Sequence, residues 1–366
     1  MIWEPDRLDD QAYLQSGDSA GMLPLVASSA AQVRMAYRSA VEAGAARAVA
    51  QFRPRAIVVV GMGASGVAGN VLEALCSVVP VIVVRGYRLP GWVGAADLLI
   101  AVSSSGATEE TLAVATEGVR RGCAFLGVGA PDSPLQSLAV QGGAPYVAVT
   151  PAAGQSRATL WSLAVPPLVV TTAMGVTDAG EDVFEAVAKR LEDVAHRCRP
   201  SSESFINPGK TLAAEIAESL PMVWGSSPIA AVAAQRLACQ LNENGKYPAI
   251  WGELPEVNHN QVEALDGALA ERDVFADEAQ TRLRLFVLRD VEEHPQVARR
   301  REVSVRLAED RGVPVSEVLA EGEHPLERLA SLVCMADYAS VYLALGYGVD
   351  PTPMSAIAEL KARISP

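Results

Sequence analysis

Two short loops rich in glycine and hydroxyl side chains are the residues best suited to chemistry. Residues 61–66 read Gly-Met-Gly-Ala-Ser-Gly, and residues 103–108 read Ser-Ser-Ser-Gly-Ala-Thr. Each loop follows an apolar run typical of a β-strand and precedes a helix-like stretch, so free N–H groups at the helix start favour an anion. Glycine permits close approach of the backbone, and hydroxyls add donors without positive charge. The candidate phosphate ligands are one glycine and four hydroxyl residues, Gly63, Ser65, Ser103, Ser105 and Thr108.

The first loop also matches the dinucleotide-binding pattern G-x-G-x-x-G, which alone is weakly specific. An NAD site favours an acidic residue after the next strand, but the predicted strand 80–84 is followed by Arg85, which at best suits a 2′-phosphate. A Ser/Thr-rich loop at 103–108 has no evident use in a dehydrogenase. We therefore favour a sugar phosphate held by hydroxyls, with a dinucleotide site or structural turns as the alternatives.

A second polar cluster follows an Ala-rich, apolar helical stretch. Residues 242–244 read Asn-Glu-Asn, and residues 258–260 read Asn-His-Asn. A carboxylate flanked by amides suits a general base, and a histidine between two asparagines suits a proton shuttle whose tautomer its neighbours fix. On spacing alone, a polar helix C-cap around Glu243 and a helix N-cap region at 258–260 explain the same residues.

The elements that must position these residues alternate between strand and helix. Such alternation is typical of a parallel sheet covered by helices, with ligands at the carboxyl ends of the strands. The first half predicts strands 56–60, 80–84, 97–102, 123–128 and 145–149, with helices 65–76, 108–121 and 133–141. The second half repeats the pattern more loosely, with strands near 222–224, 249–251 and 284–288 and helices ending near 242 and spanning 295–311 and 324–345. We predict an α/β protein of two similar doubly wound, flavodoxin-like domains.

Three further segments bear on the domain organisation. Two helices are predicted within 9–49, and a helix over 157–174 should bend or break at Pro166 and Pro167. Residues 207–211 resemble the end of a Walker A loop, but no strand precedes them, and we interpret them as a helix start. The acidic amphipathic helix 181–197 and the Arg-Pro-Ser-Ser sequence after it mark the best boundary, which predicts domains 1–198 and 199–350 and a C-terminal tail 351–366 that returns to the active site.

Composition excludes several classes of protein. The chain has 366 residues, half of them apolar, and a formal net charge of −13. That charge argues against nonspecific binding to nucleic acid or an anionic membrane, and the short basic run 299–301 is typical of a solvated helix face. The first residues lack a basic, apolar leader, and no apolar run is expected to span a bilayer, so a cytoplasmic location is expected.

Cysteine and histidine usage gives no indication of a metal or other cofactor. The five cysteines and four histidines are dispersed, without C-x-x-C, H-x-H or H-E-x-x-H spacing. The cysteines are expected to be small buried side chains in a reducing compartment.

Taken together and in order, these motifs resemble the bifunctional phosphoglucose/phosphomannose isomerases, which are built from two sugar isomerase (SIS) domains. The resemblance rests on the two loops, Ser156-Arg157-Ala158, the two polar triplets and the tail segment 337–353, and covers most of the chain. It implies a metal-independent aldose–ketose isomerase that interconverts fructose 6-phosphate with glucose 6-phosphate and/or mannose 6-phosphate through a cis-enediolate. The alternatives are a noncatalytic SIS protein that senses a phosphosugar and an NADP-dependent enzyme.

The resemblance also implies roles for residues of this chain. Ser65, Ser103, Ser105 and Thr108 would hold the substrate phosphate. Glu243 would move the proton between C1 and C2, and Arg157 would stabilise the enediolate. His259 and Lys361 would assist ring opening, with His259 supplied by the partner subunit of a homodimer. A fixed guanidinium suits a developing oxyanion, and the small Thr159 is a candidate to leave room for rotation about C2–C3.

The chain departs from the family pattern at several positions. Ser104 replaces a frequent aromatic residue, Ala107 an asparagine and Ala64 a glycine, which affects pocket shape while sparing the hydroxyls. Extra length occurs at the N-terminus and within 265–325, and the flexible-looking segment 152–154 precedes Arg157. Neither the preference between the two aldose phosphates nor the pathway served follows from the sequence.

Overall fold

The computed structural model describes residues 2–150, 155–270 and 282–364, and the segment 152–154 lies outside them. The chain divides into two compact units. Unit A comprises residues 27–192 and 322–330, and unit B comprises residues 1–26, 193–321 and 331–366. The first residues belong to unit B because they pack on its last long helix, where the Glu4 N–H donates to the Gly346 carbonyl at 3.1 Å. The functional domains 1–198 and 199–350 remain a prediction.

Four short helices precede the first sheet, where the sequence predicted two. They are α1 (Gln11–Gly17), α2 (Met22–Ala27), α3 (Ser29–Glu42) and α4 (Ala45–Val49). Local polar groups and glycine divide the Ala-rich stretch. The Asp18 carboxylate accepts hydrogen bonds from the Met22 and Leu23 N–H groups, and Gly44 adopts a left-handed conformation with φ +63° between α3 and α4.

Unit A is built around a five-stranded parallel sheet. Its strands are β1 (Ile57–Val60), β2 (Val81–Val84), β3 (Leu98–Ser103), β4 (Ala124–Gly129) and β5 (Tyr146–Ala148), in the order β2-β1-β3-β4-β5. The following helices are α5 (Ala64–Leu75), α6 (Glu109–Arg120), α7 (Pro134–Gln141), α8 (Leu160–Ala173) and α9 (Glu181–Arg197). The doubly wound prediction is confirmed, and β1 and β3 lie side by side where the strand order reverses.

Helix α8 continues through Pro166 and Pro167, so the helix does not break there. Almost all of its side chains are buried, and it packs against α3 and α5. A proline inside a helix costs about 3 kcal/mol or more, but burying an apolar helix on all sides offsets that cost.

Unit B is built around a four-stranded parallel sheet. Its strands are β6 (Ser219–Gly225), β7 (Ile250–Glu253), β8 (Arg282–Arg289) and β9 (Val315–Leu319), in the order β7-β6-β8-β9. The remaining helices are α10 (Pro208–Ile216), α11 (Pro228–Gln240), α12 (Pro295–Asp310), α13 (Pro325–Gly346) and α14 (Ser355–Ile364). Strand β9 and helix α14 were not predicted, because β9 is short and partly polar and α14 buries no residue.

Residues 207–211, which resemble the end of a Walker A loop, form a helix start, as predicted. The Asn207 side chain caps α10 by accepting from the Gly209 and Lys210 N–H groups, each at 3.0 Å. The buried Lys210 ammonium donates to the Pro200 and Ser202 carbonyls at 2.9 and 2.7 Å. This lysine therefore fixes the preceding loop and is not presented to a ligand.

Helix α13 is long and apolar enough to cross a membrane by length and composition, contrary to the expectation from the sequence. The apolar part of the helix is entirely buried inside the protein. Its buried Asp337 forms an ion pair with Arg236 of α11 at 2.8 Å. These are the properties of a core helix.

Candidate active site

The two loops rich in glycine and hydroxyls come together at one edge of the unit A sheet. Loop 61–63 joins β1 to α5, and loop 104–108 joins β3 to α6. Strands β1 and β3 are parallel neighbours, with Val60 paired to Ala101. Both loops therefore leave the carboxyl edge of the sheet at its topological switch point, where doubly wound proteins bind their ligands. We call this edge the cradle.

The hydroxyl groups of the second loop form a cluster. The Ser103 Oγ lies 2.9 Å from the Thr108 Oγ1 and 3.5 Å from the Ser105 Oγ. The Ser105 Oγ also accepts the Ala107 N–H at 3.2 Å. Ser103 is only 1% exposed, whereas Ser105 is open to solvent and Thr108 is partly buried. The cluster thus runs from the strand end out to the surface, as an anion site requires.

Both helices that begin at the cradle lack a side-chain cap. Gly63, the N-cap of α5, has no side chain that could accept a hydrogen bond. Thr108 is the N-cap of α6, and its hydroxyl does not accept a hydrogen bond from the helix. The first N–H groups of a helix need an acceptor, and the helix dipole favours an anion there. Two uncapped helix starts beside a hydroxyl cluster can bind a phosphate group.

Two glycines of the first loop are required by backbone geometry. Gly63 has φ +54°, a left-handed conformation that side chains disfavour. A Cβ atom at Gly61 would lie 2.8 Å from the Ser65 carbonyl oxygen, so only glycine lets the turn close this tightly. Ser65 consequently enters the first turn of α5 with its side chain buried at the cradle.

Arg85 forms hydrogen bonds with α5. This is the residue that would have to bind the 2′-phosphate of a dinucleotide. Its Nη2 donates to the Gly66 carbonyl at 3.2 Å and also contacts the Asn70 Oδ1. The guanidinium thereby ties β2 to α5. Arg85, the basic residue that the NADP interpretation requires, therefore has a structural role.

Arg157 lies in a short 3₁₀ turn, Ser156–Ala158, just before α8. It is 1% exposed, and its Nη1 donates to the Gln155 Oε1 at 2.8 Å. Thr159, the N-cap residue of α8, is also buried, and its hydroxyl donates to the Ser156 carbonyl at 2.7 Å. A buried guanidinium stays charged and is held in one orientation, which suits stabilisation of an oxyanion.

Glu243 lies in a π-helical turn, Leu241–Gly245, that ends α11. Two hydrogen bonds hold the backbone that follows Glu243. The buried Asn244 side chain donates to the Ser340 Oγ at 2.9 Å, and the Lys246 Nζ donates to the Glu243 carbonyl at 2.6 Å. The wider turn leaves Glu243 only partly buried, and such turns often occur at functional sites.

His259 ends a 3₁₀ turn, Glu256–His259, and its side chain is exposed. The flanking amides do not fix its tautomer as predicted, because the Asn258 Nδ2 donates to the Ser304 Oγ at 2.7 Å and the Asn260 Nδ2 donates to the Glu256 Oε1 at 2.9 Å. Asn260 also accepts the Gln261 N–H, which is the capping role of the alternative interpretation. Among the residues described, no hydrogen bond joins His259 to Glu243.

Lys361 lies in the last turn of α14, a helix exposed along its whole length. Within unit B the preceding chain is fixed to the Glu243 turn, since the Lys246 Nζ donates to the Pro351 carbonyl at 3.2 Å. In residues 2–150, 155–270 and 282–364, no group of three or more His, Cys, Asp or Glu side chains could hold a metal ion.

Unit B has a similar loop between β6 and α11, but its own carboxylate lies there. The Ser227 Oγ donates to the Asp290 Oδ2 at 2.8 Å, and the Asp290 N–H donates to the Ser226 Oγ at 2.9 Å. Asp290 follows β8, the neighbour of β6, and is 4% exposed. A negative side chain at this helix start disfavours a second anion. This role of Asp290 was not predicted from the sequence, because it depends on the pairing of β6 with β8.

Comparison with known proteins gives the family of this chain. Residues 205–364 match the family model of the bacterial phospho-glucose isomerase C-terminal SIS domain. The chain is 32% identical over 314 residues to a bifunctional phosphoglucose/phosphomannose isomerase of Aquifex aeolicus, covering 85% of this chain and 90% of that protein. It is 30% identical over 313 residues to the protein of the same name from Caldicellulosiruptor bescii, covering 84% and 89%. The chain belongs to the bifunctional phosphoglucose/phosphomannose isomerase family.

Solved structures of other proteins show the same fold. The tagatose-6-phosphate ketose/aldose isomerase of Escherichia coli has a TM-score of 0.65 at 16% identity, covering 87% of this chain and 92% of that chain. The C-terminal domain of glucosamine-fructose-6-phosphate aminotransferase from Francisella tularensis has a TM-score of 0.64 at 15% identity, covering 90% and 97%. The family assignment from the sequence is confirmed, together with its fold of two parallel sheets.

Proposed function

We propose that the chain is an aldose–ketose isomerase that interconverts fructose 6-phosphate with glucose 6-phosphate and/or mannose 6-phosphate. The observation that carries the proposal is the cradle in a member of this family, where a hydroxyl cluster that extends from the buried Ser103 to the surface adjoins two uncapped helix starts. A phosphate monoester satisfies these donors, and its sugar is then held beside the cradle for reaction.

In the proposed reaction, Ser65, Ser103, Ser105 and Thr108 hold the phosphate through their hydroxyls, and Gly63 lets the backbone approach it. The Glu243 carboxylate removes the proton from C2 of the open-chain aldose and returns it to C1, while the hydroxyl proton passes from O2 to O1, which converts the aldehyde to a ketone through a cis-enediolate. Arg157 stabilises the negative charge of that intermediate. Rotation of the enediolate about C2–C3 before reprotonation gives the epimer, with Thr159 leaving room.

Ring opening precedes the proton transfer. His259 and Lys361 are proposed to move protons between the ring oxygen and the anomeric hydroxyl, with His259 supplied by the partner subunit of a homodimer. The exposure of His259 supports a role at an interface. We place the enzyme in the cytoplasm, acting on small sugar phosphates and on neither nucleic acid nor membranes.

The proposal is tested by a coupled assay of the purified chain with each aldose phosphate, run with and without EDTA. We expect turnover of at least one substrate that EDTA does not change, since no step uses a metal. Binding of fructose 6-phosphate without turnover would instead identify a noncatalytic sensor. Subunit mixing tests the interface, because inactive Glu243→Gln and His259→Ala chains should regain activity in mixed dimers.

A further inference from the structure

A basic cavity in unit B lies outside the proposed catalytic residues. It has a volume of about 390 Å³ and is formed between α12 and the turns on either side of His259. Arg299, Arg300 and Gln296 line it from α12, and Asn258 and Val262 line it from the turns. This volume lies within the range of about 300–1,000 Å³ that suits small ligands.

The two arginines are unusual in a chain with a net charge of −13. Arg301, the next residue of the same basic run, is buried and paired with Glu293 at 2.9 Å. Within the described parts of the chain, by contrast, neither Arg299 nor Arg300 forms an ion pair, and both are exposed. Guanidinium groups favour bidentate binding of phosphate, and the described residues that line the cavity include no carboxylate to compete for them.

Asn258 contributes an independent indication of a ligand. Its Nδ2 donates to the Ser304 Oγ at 2.7 Å, but its Oδ1 is buried and has no hydrogen-bond partner among the described residues. A buried acceptor without a hydrogen bond destabilises the fold unless a donor reaches it. A ligand hydroxyl is such a donor, and the side chains of Val262 and Leu307 offer apolar surface beside it.

We infer that this cavity binds a phosphorylated, hydroxyl-bearing metabolite such as a sugar phosphate, as a site separate from the cradle. The phosphate binds Arg299 and Arg300, and a hydroxyl donates to the Asn258 Oδ1. Asn258 and His259 share the turn Glu256–His259, so the bound ligand fixes the position of the His259 backbone against α12. The effect on His259 rests on the proposed function, whereas binding itself does not.

Calorimetric titration of the full chain tests the binding site. The variant Ser103→Ala/Thr108→Val weakens the cradle, so the part of its glucose 6-phosphate binding that depends on Arg299 and Arg300 reports the second site. Adding Arg299→Gln and Arg300→Gln should weaken that binding about tenfold or more, whereas adding Arg306→Gln, an exposed arginine of the same helix outside the cavity, should not. Equal affinity with and without the Arg299 and Arg300 substitutions would overturn the proposal.

Two further measurements separate the ligand chemistry and the coupling. Inorganic phosphate should bind the cradle variant more weakly than glucose 6-phosphate does, because it leaves the Asn258 Oδ1 without the sugar hydroxyls, and equal binding would contradict the role of Asn258. The NMR resonances of the His259 imidazole should shift on saturation with glucose 6-phosphate only when Arg299 and Arg300 are present. This readout does not require turnover, so it fails independently of the isomerase assignment.

Discussion

The hydroxyl oxygens of Ser103 and Thr108 lie 2.9 Å apart across the loop that joins β3 to α6. Ser103 ends the strand and Thr108 is the N-cap of the helix, yet the threonine does not cap its own helix. One hydroxyl of the pair donates to the other, so the pair leaves one O–H donor and the first N–H groups of α6 available to an anion. This relationship is the physical basis of the proposed phosphate site.

Replacing Ser103 with alanine should remove one donor to the substrate phosphate. A hydrogen bond to a charged group contributes about 1.5–3 kcal/mol, so kcat/KM for fructose 6-phosphate should fall about tenfold to a hundredfold. The control is Ser137→Ala, whose hydroxyl donates to the Ser133 carbonyl within the α7 region. Steady-state kinetics of both variants decides the matter, and equal kinetics would place the phosphate elsewhere.

Arg157→Lys keeps the positive charge but loses the planar guanidinium. We expect kcat to fall about a hundredfold with KM little changed, because the enediolate forms only after the substrate is bound. Arg236→Lys is the matched control, since Arg236 is also buried but pairs with Asp337 in the core. It should lower Tm and leave kcat unchanged. A loss of Tm with normal kcat in Arg157→Lys would make that arginine structural.

Asp290→Asn should destabilise the protein without affecting catalysis. The Asp290 carboxylate accepts the Ser227 hydroxyl and lies beside the start of α11, so neutralising it should cost about 1–2 kcal/mol of unfolding free energy. Urea denaturation measures this loss, with the exposed Asp132→Asn as the control. A lower kcat/KM at unchanged stability would instead place Asp290 in the catalytic machinery.

Asp97 should make the stability of the fold dependent on acid. Burial alone would raise the pKa of its carboxyl, but hydrogen bonds from Arg55 and from the Gly94 N–H outweigh burial and lower the pKa. A lowered folded-state pKa stabilises the protein above the unfolded pKa of about 3.9 and ceases to do so as pH falls through the folded value. The Tm of the wild type should therefore fall more steeply below about pH 4 than that of Asp97→Asn.

The matched control for this titration is Asp310→Asn, at the exposed end of α12. Its Tm should follow that of the wild type at every pH. If Asp97→Asn also shows the wild-type dependence on pH, other carboxylates are responsible for the loss of stability in acid.

Much of the fold followed from the sequence because its signals are local. Apolar runs of β-branched residues predicted the five strands of unit A, and the glycine and hydroxyl loops after β1 and β3 predicted the cradle. The continuity of α8 through Pro166 and Pro167 was missed, because packing on α3 and α5 outweighs local propensity there. The π-helical turn at Glu243 and the role of Asp290 were missed for a related reason, since both depend on contacts between distant segments.

The proposed mechanism depends most directly on Glu243 as the base that moves the proton. The decisive measurement is deuterium incorporation at C2 of glucose 6-phosphate formed from fructose 6-phosphate in D₂O, together with the affinity for fructose 6-phosphate. The exposed control variant Glu42→Gln should behave as the wild type. The proposed mechanism predicts that Glu243→Gln binds fructose 6-phosphate with nearly wild-type affinity but incorporates deuterium and isomerises about a thousandfold more slowly. Exchange at the wild-type rate in Glu243→Gln would contradict it.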